Sequence, residues 1–236
     1  MAEDLAVVEP VEVGKISRMK FKSLVKKYDH WTLLMGLLTL ISEPIWSEIF
    51  PVSGIIFQFA TFITILSGIS ITSINSSRID VKAVLGIVAL GLSIIAMIFP
   101  DSSMLSQFLS VVKFMYFLLL SGSLLRSIFY SKVVGVNTVI NAISGYILMG
   151  TSFAILSGLW NTFFPGTFNF VSDFKQDISN ELYFTIVTMT TLGYGDFLPL
   201  TIAGKSWSIL MAISGQFYST VVLAIIVGKF IGSKSN

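Results

Sequence analysis

Long apolar stretches alternate with short polar breaks along most of this chain. Six of these stretches, at 30–50, 54–74, 82–99, 104–129, 137–160 and 202–230, are long enough to cross a bilayer. An α-helix needs ~20 predominantly apolar residues for that. The chain is 54% hydrophobic and 12% charged, with a mean hydropathy of +0.84, which excludes an ordinary soluble domain. We therefore predict an all-α membrane protein with six transmembrane helices.

A seventh apolar stretch, 179–190, lies between the last two of these segments and runs directly into Thr191. At ~12 residues it is too short to span the bilayer. Its length and position predict a re-entrant pore helix, followed by non-helical backbone that lines a water-filled route. The alternative interpretation is a short interfacial helix followed by a glycine turn.

The stretch T-x-G-Y-G follows this helix and consists of Thr191, Leu192, Gly193, Tyr194 and Gly195. Its glycines can take φ values that other residues avoid, so alternating backbone conformations would turn successive carbonyls to one side. Four such strands around an axis would form stacked oxygen rings that replace the hydration shell of K⁺, with sites from Thr191 to Tyr194. We expect a Thr191 hydroxyl ring at the inner end, and Leu192 and Tyr194 packed against supporting helices. One strand cannot encircle an ion, so we predict a homotetramer.

Charge is distributed unequally between the two sides of the predicted membrane segments. One side carries Lys15, Arg18, Lys20, Lys22, Lys26, Lys27, Arg78, Lys82, Arg126, Lys132, Lys229 and Lys234. The other carries Lys175 and Lys205 with Glu43, Glu48, Asp101, Asp173, Asp177, Glu181 and Asp196. The positive-inside rule then places both termini in the cytoplasm, as an even number of spans requires. The acids would concentrate cations at the outer mouth, or they simply solvate loops.

The first segment, 1–29, is basic and partly amphipathic. We predict a cytoplasmic interfacial helix that contacts membrane lipids, with anionic headgroups as its partners. Nucleic-acid binding is a poor alternative, because the net charge is only +2 and the basic run adjoins a membrane span. No apolar stretch precedes the first span, so we expect no cleaved signal peptide.

The residues after the motif extend the pattern. Gly195, Asp196, Pro199, Thr201, Gly204 and Lys205 match G-D-x-x-P-x-T-x-x-G followed by a basic residue. This arrangement resembles the tetrameric potassium channels, specifically over about 180–230 and only in architecture over 30–160. The resemblance implies a six-span potassium channel with one pore loop per chain.

The resemblance also implies a set of residues that support the filter. These are Thr190, Asp196, Tyr183, Phe184 and Val187. Tyr183 and Phe184 stand at the aromatic pair that braces the filter from the pore helix. Val187 stands where some family members carry a glutamate that hydrogen-bonds the filter aspartate.

Gly215 lies where many members of this family place a hinge in the inner helix. A glycine inside a helix costs roughly 1 kcal/mol against alanine, which indicates either bending or close packing. Below it, Ser219, Leu223 and Val227 recur at helical spacing. Ser219 would line the cavity, and Leu223 and Val227 would form a hydrophobic gate. The same periodicity is also typical of a face that packs against neighbours.

The fourth span contains one internal charge, Lys113, with Arg126 at its cytoplasmic end. Steep voltage gating needs several such charges, so we predict that the 30–130 bundle occupies the sensor position without conventional gating charges. The pore domain is predicted at 137–236.

An ionisable group in lipid is costly, so Lys113 requires a partner. Helical rise places Lys113 about 13 Å and Glu43 about 12 Å from the outer face. We predict that they form an intramembrane pair. The alternative is that Lys113 extends toward the interface and Glu43 lies in an aqueous notch.

With no cysteine and no phosphate loop, metal cluster or nucleophile constellation, the sequence indicates no enzyme and no cofactor besides K⁺ in the filter. The predicted function is K⁺ conduction across the cell membrane without conventional voltage gating. Two alternatives remain open: a non-conducting subunit that modulates another channel, and a six-span transporter in which the motif is coincidental.

Overall fold

The computed structural model describes residues 28–42, 45, 53–73, 80–131, 134–170 and 178–234. Within these ranges the regular structure is helical, and the only β-type pairing is an isolated bridge between Phe168 and Pro199. The predicted all-α class is therefore confirmed for the described residues. The predictions for 1–27, including the basic interfacial helix, lie outside them.

Seven helices are described, and each overlaps a predicted apolar segment. They are α1 (28–41), α2 (Ser53–Ser73), α3 (Val81–Ile98), α4 (Ser103–Tyr130), α5 (Val136–Phe163), α6 (Ser179–Met189) and α7 (Ile202–Lys234). Among the described residues, α3, α4, α5 and α7 are long and apolar enough to cross a membrane. The apolar part of α2, Ile56–Thr72, is shorter, and 43–44 and 46–52 are not described, so spans one and two remain predictions.

Short polar caps begin the helices at the predicted breaks. Asp80 accepts a hydrogen bond from the Lys82 backbone N–H at 3.1 Å, and its carboxylate lies 3.3 Å from Lys82 Nζ. The Thr201 hydroxyl accepts from the Gly204 N–H at 3.1 Å at the start of α7. These caps satisfy N–H groups that the first helical turn leaves without partners.

The largest core runs without interruption from the first helices into the pore region. It joins Leu33 of α1, Ile65 of α2, Tyr116 of α4, Leu148 of α5 and Leu182 of α6. The Tyr116 hydroxyl donates to the Ile65 carbonyl at 2.9 Å, which satisfies a polar group that would be costly in an apolar interior.

Helices α4 and α5 form an antiparallel pair joined by the short connection 131–135. Ser121 donates to the Gly145 carbonyl at 2.7 Å, and Asn141 donates to the Ser127 hydroxyl at 3.2 Å. The order of these partners reverses along the two helices, which defines their antiparallel orientation.

Lys229 attaches the C-terminal part of α7 to the end of α4. Its ammonium donates to the carbonyls of Ile128, Phe129 and Ser131 at 2.7, 2.7 and 2.6 Å. A cation at the carbonyl end of a helix is stabilised by both the hydrogen bonds and the helix dipole.

Candidate filter site

Helix α6 ends directly at the T-x-G-Y-G stretch. Glu181 lies in its first turn, where a negative charge is favoured by the helix dipole, and is only 2% exposed. The idea that the outer acids solvate loops is therefore wrong for Glu181. At the other end, the Thr190 hydroxyl donates to the Ile186 carbonyl at 2.8 Å.

The filter segment (191–195) has an alternating backbone. The angle φ is positive at Thr191 (61°), Gly193 (54°) and Gly195 (83°). Among the described residues, Thr191 is the only non-glycine with positive φ. Such a conformation is uncommon outside glycine and marks a backbone that its surroundings hold in place.

Backbone N–H groups of the filter segment return to α6. The N–H of Leu192 and that of Gly193 both donate to the Val187 carbonyl, at 3.0 and 3.2 Å, and the Thr191 N–H donates to Thr188 at 3.1 Å. In the described part of the chain, none of the carbonyls of 191–195 accepts a hydrogen bond. Five successive carbonyl oxygens are thus available to a ligand. Val187, whose role as a support remains a prediction, contacts the filter segment through its carbonyl.

The side chains of the filter segment are mostly uncovered in a single chain. Leu192 is 56% and Tyr194 is 67% exposed. The Tyr194 ring stacks on Tyr183 with centroids 6.5 Å apart. For Tyr194 this stack is a contact with α6, as expected; the packing of Leu192 against supporting helices remains a prediction.

Asp196 is held by Tyr183 of α6. The Tyr183 hydroxyl donates to Asp196 Oδ2 at 2.7 Å, and the Phe197 N–H donates to Asp196 Oδ1 at 3.0 Å. The hydrogen bond from Tyr183 lowers the pKa of Asp196 below its usual range. The same bond, to a carboxylate acceptor, raises the pKa of Tyr183 to about 12. The phenol thus occupies the role that the resemblance assigns to a glutamate at position 187.

An aromatic cluster supports this outer end. Phe184, predicted as a brace, is 5% exposed, and its ring lies 5.2 Å from that of Phe168 and 5.6 Å from that of Phe170. Phe197 completes the contact with Phe170 at 5.5 Å. The outer loop (164–170), which contributes two of these rings, was not singled out from the sequence. The i, i+2 spacing of Phe168 and Phe170 was the signal that could have found it, because alternate residues of an extended segment share one side.

Gly215 provides close packing. A Cβ at this position would lie 2.5 Å from the Met189 carbonyl oxygen and 2.8 Å from Met189 Cβ. Helix α7 therefore approaches the end of α6 at a point where only glycine fits. Of the two interpretations of Gly215, the structure favours packing, and α7 is helical on both sides of it.

The predicted gate residues lie on a face that this chain leaves open. Leu223 is 63% and Val227 is 44% exposed, whereas Tyr218 and Val222 pack into the chain's own core. Ser219 is exposed, donates to the Gly215 carbonyl at 2.9 Å and is a hydrogen-bond partner of Tyr146. Their role in gating remains a prediction.

Lys113 borders a small cavity of about 60 Å³ inside the bundle, whose lining includes Leu40, Thr61, Ser110 and Thr151. The three hydroxyls each donate to the carbonyl four residues earlier, so their lone pairs remain to accept from the ammonium or from water. Glu43 lies outside the described residues, and the predicted pair with Lys113 is untested.

No group of His, Cys, Asp or Glu suited to a metal occurs in the described part of the chain.

Residues 143–231 match the Ion_trans_2 family model, described as an ion channel. The chain is also 36% identical over 86 residues to "A-type voltage-gated potassium channel KCND3" of Rattus norvegicus and of Homo sapiens. That match covers 36% of this chain and 13% of each relative. These similarities support a membrane ion channel of the potassium-channel type. The matched family region begins within α5, so α1–α4 lie outside it.

Proposed function

We propose that this protein is a potassium-selective channel that conducts K⁺ down its electrochemical gradient across the cell membrane. The observation that carries the proposal is the row of five carbonyl oxygens at 191–195 without hydrogen-bond partners among the described residues. Such oxygens, repeated around an axis, can replace the water that a K⁺ ion loses on entry. The similarity of 143–231 to ion channels supports the same function.

The direction of α6 favours a cation at this position. Its carbonyl end, the negative pole of the helix dipole, adjoins Thr191. Asp196 stands at the opposite end of the filter segment with a pKa held low by Tyr183, so it is ionised at neutral pH. Negative potential at both ends would concentrate cations along the segment.

The functional unit of the proposal is a homotetramer, because each chain supplies one strand of the filter. Exposed apolar residues on α7, such as Leu210 and Phe217 at 54% and 67%, offer surface for contact between subunits. Six spans with both termini in the cytoplasm complete the proposed subunit. Since α4 carries only Lys113 in its interior, with Arg126 four residues before its end, we propose that opening is not steeply voltage-dependent.

The test is K⁺ flux from liposomes that contain the purified protein, with Na⁺ measured in parallel. We expect K⁺ flux without Na⁺ flux, and loss of selective flux in Gly193→Ala, because alanine disfavours the φ of 54° at this position. Equal flux of both ions would contradict selectivity. A tetramer that passes no K⁺ would favour the regulatory subunit, and a monomer or dimer would favour the transporter.

The gate is tested by Leu223→Ser and Val227→Ser. If these exposed side chains exclude water from a closed pore, each polar substitution should raise the resting K⁺ flux. Unchanged flux in both variants, with normal assembly, would remove Leu223 and Val227 from the gate.

A further inference from the structure

One side chain of the outer loop contacts the backbone on both sides of Phe197. Asn169 Nδ2 donates to the Asp196 carbonyl at 3.0 Å, and Asn169 Oδ1 accepts from the Leu198 N–H at 2.6 Å. The Asn169 backbone N–H donates to the Leu198 carbonyl at 3.1 Å. The amide therefore uses both its donor and its acceptor on the segment that leaves the filter.

The loop that carries Asn169 is itself well anchored. Asn161, at the end of α5, donates to the Phe170 carbonyl at 2.9 Å and accepts from the Phe168 N–H at 3.2 Å. The Leu200 N–H donates to the Thr167 carbonyl at 2.8 Å. Phe168 and Phe170 are 2% and 4% exposed. The residues before and after Asn169 are thus held in place by hydrogen bonds and by burial of their aromatic rings.

We propose that Asn169 is a positioning residue that holds the outer end of the filter segment in its ion-binding geometry. The inference rests on the proposed function. The inner end of the segment is tied to α6 through Val187 and Thr188. The outer end finishes at Gly195, whose peptide with Asp196 can rotate easily, because glycine reaches both signs of φ. By binding the next carbonyl, that of Asp196, Asn169 restricts this rotation.

The role differs from that of Tyr183. Tyr183 holds the carboxylate of Asp196, whereas Asn169 holds its carbonyl and the N–H of Leu198. Asn169 is exposed in this chain, so water competes for its amide. We therefore expect its removal to weaken K⁺ binding in the filter about tenfold rather than to abolish it.

The test compares Asn169→Leu with Asn180→Leu, the same substitution at an exposed position in the first turn of α6. The readout is the difference between the thermal unfolding midpoints in KCl and in NaCl, since a bound ion stabilises the conformation that holds it. Selective flux is measured alongside. We expect Asn169→Leu to lose at least half of the K⁺-specific shift and some selectivity, and Asn180→Leu to behave like the wild type.

Asn169→Asp separates the two bonds, because it keeps an acceptor for Leu198 and loses the donor to Asp196. An intermediate K⁺-specific shift is expected, and this variant carries the test if Asn169→Leu does not fold. A full K⁺-specific shift in Asn169→Asp or Asn169→Leu would overturn the inference. So would an equal loss of stability in both salts, which would indicate a merely structural role. A wild type with neither K⁺-specific stabilisation nor flux would overturn the proposed function as well.

Discussion

Helices α5 and α7 are both long apolar helices of the region that matches ion channels, yet the chain covers them very differently. In the most apolar 18-residue stretch of each, 72% of α5 but 22% of α7 is buried. Helix α5 packs against α4, α6 and α7, whereas Ile209 and Phe217 of α7 are 58% and 67% exposed. Helix α5 therefore holds one chain together, whereas α7 presents an exposed apolar surface that the proposed homotetramer and its pore would use.

The same substitution should therefore have different consequences on the two helices. Leu148→Ala in α5 removes a side chain that is 0% exposed and should lower the free energy of unfolding by about 2–5 kcal/mol. Leu210→Ala in α7 removes one that is 54% exposed and should instead lower the tetramer fraction. Thermal unfolding and sizing in mild detergent measure the two effects. Equal destabilisation of the folded chain by both variants would contradict the comparison.

Helix α7 lies very close to the end of α6 at Gly215. Gly215→Ala would press a methyl group onto the Met189 backbone and should cost about 1–3 kcal/mol of stability, with a loss of K⁺ flux. Gly228→Ala is the matched control, since among the described residues no atom beyond its chain neighbours and its own helix backbone lies within 4 Å of the added Cβ. That control should be neutral or up to about 1 kcal/mol more stable. Gly215→Ala with altered flux but unchanged stability would point to a hinge instead.

Lys229 fixes the far end of α7, and its loss should have a smaller effect. Lys229→Met removes charge-assisted bonds to Ile128, Phe129 and Ser131. Because the side chain is only half-buried, we expect a loss of about 1 kcal/mol, measured by thermal unfolding. Lys205→Met, at the exposed start of the same helix, should leave the unfolding midpoint unchanged. Equal midpoints for the two variants would argue against a stabilising cap.

The smallest expected effect is a change in the pH dependence of protein stability, through the carboxylate of Asp196 at the outer end of the filter segment. Because Tyr183 lowers the pKa of Asp196, the carboxylate adds stability above its ordinary pKa of 3.8, and this is lost as pH falls through the lowered pKa. Tyr183→Phe should move that loss to higher pH, with Tyr130→Phe as control. The phenol keeps its proton up to a pKa of about 12, so we expect no change near neutral pH. If Tyr183→Phe leaves the pH of the acid-induced loss of stability unchanged, the hydrogen bond between Tyr183 and Asp196 is not its cause.

The helix positions could be predicted because apolar segment length is itself the physical requirement for crossing a membrane. The alternating backbone of 191–195 could also be predicted, since its glycines, Gly193 and Gly195, stand where φ is positive. Gly215 and Gly228 look alike in the sequence, however, and only the packing of α7 on α6 separates them. The contact of Lys229 with the end of α4 joins residues about 100 positions apart, and no local pattern indicates it.

Asn169 was missed for a related reason. A single asparagine in a loop is common in turns, and its importance arises from the segment after the filter that the fold brings to it. The burial of Glu181 could not be predicted either, because an acid in the first helical turn is favourable whether exposed or covered.

Binding of K⁺ by the carbonyls of 191–195 is tested most directly by the electron density of the assembled protein with Tl⁺ in place of K⁺. Tl⁺ is an anomalous scatterer of similar size and charge. We predict a tetramer with Tl⁺ density on its axis, coordinated by the carbonyl oxygens of 191–195. A tetramer whose filter segments enclose no such density, or an assembly without a shared axis at Gly193 and Gly195, would contradict it.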